Sequence, residues 1–338
     1  MDMFGRLLAR PALKLRARRP PRWLTVLLYH RVLPRQSGGY DLDEGVVDSG
    51  PELFERHMSF VASACTPIDL AQLLAFGRGE AGLPDNPVLV TFDDGYLDNR
   101  VHALPILKRH GIRALFFIAS TYVGERKLFW WDRVAYLIHH ARVDVARLSY
   151  PTELVLPLGK ERGRAARLVL KIIKTTRGLD LPRFLDELAR AMNVDWNDAI
   201  ERRLVDEHIM TWDDVRALHE AGMDIGSHTR THRVLDTVEP GGLTDELVAS
   251  KADIERALKI KISSLSYPVG RAIRKLPLIE RAVRDAGYEI GFSVETRANS
   301  LVRAAFDPFN VARLPVEPGL SRDRLAAFLA APEMLGAA

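Results

Sequence analysis

Residues 87–96 read Pro87-Val88-Leu89-Val90-Thr91-Phe92-Asp93-Asp94-Gly95-Tyr96. A short apolar run with little polar alternation suits a strand covered on both faces, the kind found in parallel sheets. It ends in two adjacent carboxylates and a glycine. Two like charges at one strand end are costly unless something cationic uses them. The plainer reading is an Asp-Gly turn with a helix N-cap.

Working outward, six further runs share this character: 24–30, 113–119, 223–228, 263–267, 290–294 and 310–316. Helical patterns fall between them. Phe54, Met58 and Val61 mark one stripe, and 68–76 reads as a second helix. Leu104 to His110 stops at Gly111, and Thr211 with Asp214 has the spacing of a capping box. The helix it opens stops at Gly222; 244–258 and 277–286 read as helices too. Seven strands with intervening helices predict an α/β fold, a closed or nearly closed parallel barrel.

The stretch 125–210 interrupts that rhythm. Helical patterns at 131–141, 161–176 and 181–192 surround a Pro/Leu stretch near 151–158, and the segment is too long for a plain connection. The expected organisation is a leader over 1–22, a barrel from 23–124 and 211–330, and a helical insertion or cap over 125–210. No internal repeat is visible.

Composition narrows the function classes. Hydrophobic residues at 47% and charged residues at 27% over 338 positions exclude a disordered chain. The formal charge of +4 comes largely from the leader, where seven Lys and Arg precede position 23 against the single acid Asp2. The remainder is nearly neutral, which argues against a nucleic-acid-binding body. The lone Cys65 permits no internal disulfide and reads as a small buried hydrophobe. No apolar window is long enough for a transmembrane helix, and the leader lacks a secretory h-region. The expected location is cytoplasmic. The leader reads either as a basic amphipathic segment on an anionic inner-membrane surface or as a solvated terminus.

Two other places carry chemistry. His228-Thr229-Arg230-Thr231-His232 follows the strand at 223–228, and His at i and i+4 can face one metal if a helical turn starts there. Two surface histidines is the bland alternative. With one Asp, the pair would make a three-ligand site with open positions. His30 ends the first strand, so three strand ends converge on one barrel face and favour His30 as an acid/base group. Trp130 and Trp131 read as a helix anchor or as a stacking surface for a sugar ring. Asp98 reads as a site residue or a helix cap. The six histidines at 102, 110, 139, 140, 208 and 219 have no motif context.

Thr91–Tyr96, His228–His232 and Ser266-Tyr267-Pro268-Val269-Gly270 together resemble, in order and spacing, the polysaccharide deacetylase family, carbohydrate esterase family 4 or the NodB-homology domain. The resemblance covers roughly 87–120 and 211–316. It implies a distorted (β/α)7 TIM-like barrel that removes N-acetyl groups from amino sugars with a divalent metal, Zn2+ or else Co2+ or Ni2+. By motif position Asp93 looks like the general base, and Asp94, His228 and His232 like the metal ligands. The late Leu-His motif that usually supplies the general acid is not evident after 295. Tyr29-His30-Arg31-Val32 resembles instead the permuted members whose acid sits on the first strand, which makes His30 the acid. The usual Arg-x-Pro-Tyr motif is also missing, so Arg313 is the candidate brace for the base, with a surface salt bridge as its alternative. Tyr267, the Val269 N–H and Tyr96 are candidates for substrate or oxyanion contact.

The implied partner is an N-acetylated glycan or lipid-linked sugar. Other readings are a deformylase or deacylase of a lipid-linked sugar, a non-catalytic glycan-binding protein on the same fold, and a non-haem Fe(II) oxygenase using the same ligand types. Retention of a base and an acid candidate together disfavours the binding module. The paired Asp disfavours the oxygenase.

Overall fold

A computed structural model describes residues 23–34, 40–295 and 297–330. The expectations for the leader at 1–22 lie outside the described residues. All seven apolar runs form strands: β1 (Trp23–Tyr29), β2 (Pro87–Phe92), β3 (Leu115–Ile118), β4 (Asp224–Ser227), β5 (Ser264–Ser266), β6 (Ile290–Val294) and β7 (Val311–Pro315). Each pairs in parallel with the next in sequence, and β7 returns to β1 to close the barrel.

The closure is uneven. Leu27 pairs across both neighbours, with Val90 of β2 and Leu314 of β7. Between β4 and β5 only Leu265 and Ser227 are in register. Gly226 lies at that thin seam, where a Cβ would fall 2.5 Å from Ser264 Oγ and 2.6 Å from the Phe117 ring. Only glycine fits there.

Alternate strand residues fill the barrel. Val26, Leu89, Phe117 and Phe292 belong to one apolar cluster, and Leu73 and Phe76 of helix Leu70–Arg78 join it. That helix has a full capping box at Asp69 and Gln72 and stops at Gly79, in the left-handed region at φ +76°. On the outside, Phe54, Met58 and Val61 of helix Pro51–Ala64 are buried as the stripe predicts. Thr211 and Asp214 form their capping box ahead of helix Trp212–Glu220. Cys65 is half-buried against the outer core.

Between β3 and β4 lie α1 (Trp130–His139), α2 (Arg162–Thr175), α3 (Leu181–Ala191) and α4 (Asp198–His208). The first three match helical patterns in the sequence. The region also holds an antiparallel hairpin, Val145–Leu148 with Leu154–Pro157, which the sequence reading leaves irregular. Its strands are four residues each, too short for alternation to declare itself. α4 also lacks a stripe, burying only Leu204 and Val205. Phe184, Leu185 and Leu188 of α3 belong to the same apolar cluster as the barrel's outer face. Among the described residues no helix is long and apolar enough to cross a membrane.

Candidate active site

In a parallel barrel the C-terminal ends of all strands open on one face. His30 follows β1, Asp93 and Asp94 follow β2, His228 follows β4, and Ser266 ends β5. His30, Asp93, Asp94 and His228, with Trp130 and Trp131 of α1 and Leu170 and Lys174 of α2, surround a cavity of about 420 Å³. The opposite wall is Val269, Gly270, Val294 and Pro315, and the segment Asp43–Val46 forms a third side.

The backbone is strained where these groups converge. Asp94, Thr229, His232 and Val269 all have φ between +53° and +81°, a region that non-glycine residues avoid. At Gly95 the φ of +115° demands glycine, which accounts for the third letter of Asp-Asp-Gly.

Asp94, His228 and His232 bring one ligand atom each to within 4.8 Å of one another, and all three are buried. The Nε2 atoms of both histidines lie 3.5 Å from Asp94 Oδ1. That oxygen is buried and accepts no hydrogen bond among the described residues. His228 Nδ1 lies 2.8 Å from the Ser266 carbonyl, so Nδ1 carries the proton and Nε2 keeps its lone pair. Burial holds His228 down at about 4 and His232 well below the ordinary imidazole range. Burial, reinforced by the Asp93 charge against an opposing pull from His30, lifts the Asp94 carboxyl to about 8. Two neutral imidazoles facing one orphaned carboxylate oxygen fit a divalent cation.

Asp93 has a different setting. Arg313, fully buried in β7, donates Nη1 to Oδ1 at 2.6 Å and Nη2 to Oδ2 at 2.8 Å. Ser266 Oγ donates to Oδ2 at 3.0 Å. Burial alone would raise this carboxyl, but Arg313 first and then His228 hold it well below the carboxylate range. The surface salt-bridge alternative for Arg313 is thereby excluded.

His30 is braced by a residue the sequence reading does not single out. Asp48 sits on the short strand Val47–Ser49, which pairs in parallel with Arg31–Val32 directly after His30. Its Oδ2 accepts from the His30 backbone N–H and lies 3.3 Å from Nδ1. Burial lowers the imidazole, but Asp48, with help from Asp94 and Asp93, outweighs it and raises His30 to about 9.

Two expectations need correction. Tyr267 does not face the cavity: it is buried, and its hydroxyl donates to the Phe309 carbonyl at 2.8 Å. Tyr96 is also fully buried, behind the wall rather than on it. Its hydroxyl accepts from Trp131 Nε1 at 2.7 Å and donates to Asp132 Oδ2 at 2.8 Å, while Asp132 Oδ1 accepts from the Asp43 N–H. Trp130 and Trp131 are buried in the core, as the helix-anchor reading expects, and both also line the cavity. Asp98 neither lines the cavity nor caps a helix with its side chain; it accepts from Arg31 Nε and the Val32 N–H. Val269 does line the cavity, 44% exposed. Asp48 and Asp132 carry no local signal in the sequence, because each matters through a tertiary contact, and Lys174 reaches the cavity only through the packing of its helix.

The sequence pattern of the family described as polysaccharide deacetylase matches residues 80–150 and 193–291 of this chain. A Bacillus subtilis (strain 168) protein, YxkH, provisionally named a polysaccharide deacetylase, is 21% identical over 313 residues, 91% of this chain and 77% of its own length. Streptococcus pyogenes deacetylase PplD, solved in complex with acetate, shares the fold at a TM-score of 0.58 and 15% identity, covering 92% of this chain and 99% of its own. IcaB from Ammonifex degensii does so at 0.57 and 19%, with the same coverage.

Proposed function

This chain belongs to the polysaccharide deacetylase family, and from that premise we propose that it is a metal-dependent amide hydrolase that removes an N-acetyl group from an amino sugar of a polysaccharide, oligosaccharide or lipid-linked glycan. The observation that carries the reading is the convergence of three groups in one cavity: the Asp94–His228–His232 cluster, the ionised Asp93 and His30. Asp94, His228 and His232 would hold the cation, with Zn2+ the first candidate and Co2+ or Ni2+ next. Such a cation supplies Lewis acidity toward the acyl carbonyl and lowers the pKa of water toward neutrality.

The chain's own residues do the rest. Asp93, kept ionised by Arg313 and oriented by Ser266, accepts the proton of the attacking water. The Val269 N–H, from a residue that lines the cavity, serves as the donor to the developing oxyanion in this reading. His30, held protonated by Asp48, donates to the departing sugar nitrogen, which leaves poorly without a proton. Trp130 and Trp131 line the cavity, and a sugar ring can lie against them. Removal of a formyl group would use the same residues.

The test is acetate release from chitin oligomers and poly-N-acetylglucosamine by protein stripped of metal and reloaded with zinc, cobalt or nickel. The expected outcome is metal-dependent release that Asp93→Asn abolishes while retaining the metal. Release that survives in Asp93→Asn would overturn the assignment of the base.

A further inference from the structure

The chemistry proposed above accounts for the cavity floor but leaves two charged groups on its wall unused, Asp43 and Lys174. Lys174 lies on α2, one turn beyond Leu170, so both project from the same helix face into the cavity. It is the only Lys or Arg among the lining residues, and it comes from the segment between β3 and β4 rather than from a barrel strand end. It is half-buried. Among the described residues no carboxylate lies within 4.0 Å of its ammonium and no hydrogen bond engages it. The cavity does hold carboxylates, Asp43, Asp93 and Asp94, and Asp43 and Asp94 attract the ammonium from a distance, yet none forms an ion pair with it.

A half-buried ammonium without a partner is a cost that folding alone does not explain. Lysine is a compact point charge with three donors on a flexible stem, suited to a carboxylate or phosphate that arrives with a ligand. Lys174 lines the same cavity as Asp93 and Asp94, so an acyl group seated at those carboxylates leaves Lys174 to another substituent of the same sugar.

We infer that Lys174 selects an anionic substrate, an N-acylated amino sugar bearing a carboxylate or phosphate. This rests on the deacylase reading of the same cavity. Barrel residues would perform the hydrolysis, and the inserted helix would choose the sugar.

Binding of three probes would be measured by calorimetry on the metal-loaded protein: N-acetylglucosamine, its 1-phosphate and N-acetylglucosaminuronic acid. Lys174→Met and Lys174→Gln would be compared with the unaltered chain, folding being checked by circular dichroism. The unaltered chain should bind at least one anionic probe about ten-fold or more tightly than the neutral sugar, the scale of one charge-assisted hydrogen bond. Preference for the 1-phosphate alone indicates a phosphorylated or lipid-linked donor, and preference for the uronic acid alone indicates an acidic glycan. In both variants the ratio should fall about ten-fold from that of the unaltered chain, because attraction of anions to the cation is common to all three proteins and cancels in the comparison. A ratio that stays high in both variants overturns the inference, and so does a ratio near one in the unaltered chain. Failure to bind any of the three sugars overturns the glycan reading together with it.

Discussion

His30 and Asp48 are bound to one another by more than their charges. The carboxylate accepts the His30 backbone N–H and also faces the ring, so position and protonation of the imidazole depend on one group. With the folded-state value raised from 6.5 to about 9, the pair's stabilisation is complete below about pH 6.5 and is lost as pH rises through about 9. The same shift keeps the ring protonated, as a proton donor requires. Asp48→Asn removes the charge that raises His30. The alkaline limb of kcat/KM should therefore move to lower pH by about one unit or more, with the loss of turnover growing as pH rises above neutral. An unmoved alkaline limb would mean that the proton comes from another group. Arg313 shows a related economy. Its guanidinium holds both oxygens of Asp93 while Nη2 also donates to Ser266 Oγ, whose backbone carbonyl orients His228. Base and ligand thus share one strand end.

At the scale of elements, α1 joins three parts of the molecule through one carboxylate. Asp132 accepts from Tyr96, next to the Asp93-Asp94-Gly95 turn, and from the Asp43 N–H on the segment that leads to Asp48. Tyr96 in turn receives the Trp131 indole N–H. Asp132→Ala leaves a buried hydroxyl and a backbone N–H without their acceptor, at about 1–3 kcal/mol each. A fall in denaturation midpoint is expected, with a rise in KM exceeding the loss in kcat, since Asp43 and Trp131 are walls rather than reacting groups. An unchanged KM would show that the walls hold their places without this link. The sequence makes the strand ends legible and leaves this link unseen, for a physical reason. Residues such as Asp93, His228 and His30 follow apolar runs whose periodicity places them at a barrel mouth. Asp132 and Asp48 are single acids whose partners lie 36 and 18 positions away. Tyr96 misled for the same reason: adjacency to the Asp-Asp-Gly turn says nothing about which side of the wall its ring takes.

For the molecule as a whole, the site exists only if the barrel closes. The acid candidate follows the first strand and the brace of the base lies on the last, and these strands are hydrogen-bonded neighbours. Leu27, fully buried, touches both seams through its pairing with Val90 and Leu314. Closure therefore joins residues nearly a full chain length apart, which makes it slow to form and dependent on both ends being present. Leu27→Ala should cost about 2–5 kcal/mol but leave a folded, less stable barrel. Ending the chain after residue 309 has a different consequence. It removes β7 and Arg313 together, exposes the edges of β1 and β6, and leaves Asp93 as a buried unpaired charge. The shortened chain should run as aggregate on size exclusion, with circular dichroism lacking the native cooperative transition. A monomeric shortened chain with that transition would mean that six strands suffice, and that β7 serves the chemistry at Asp93 rather than the integrity of the barrel.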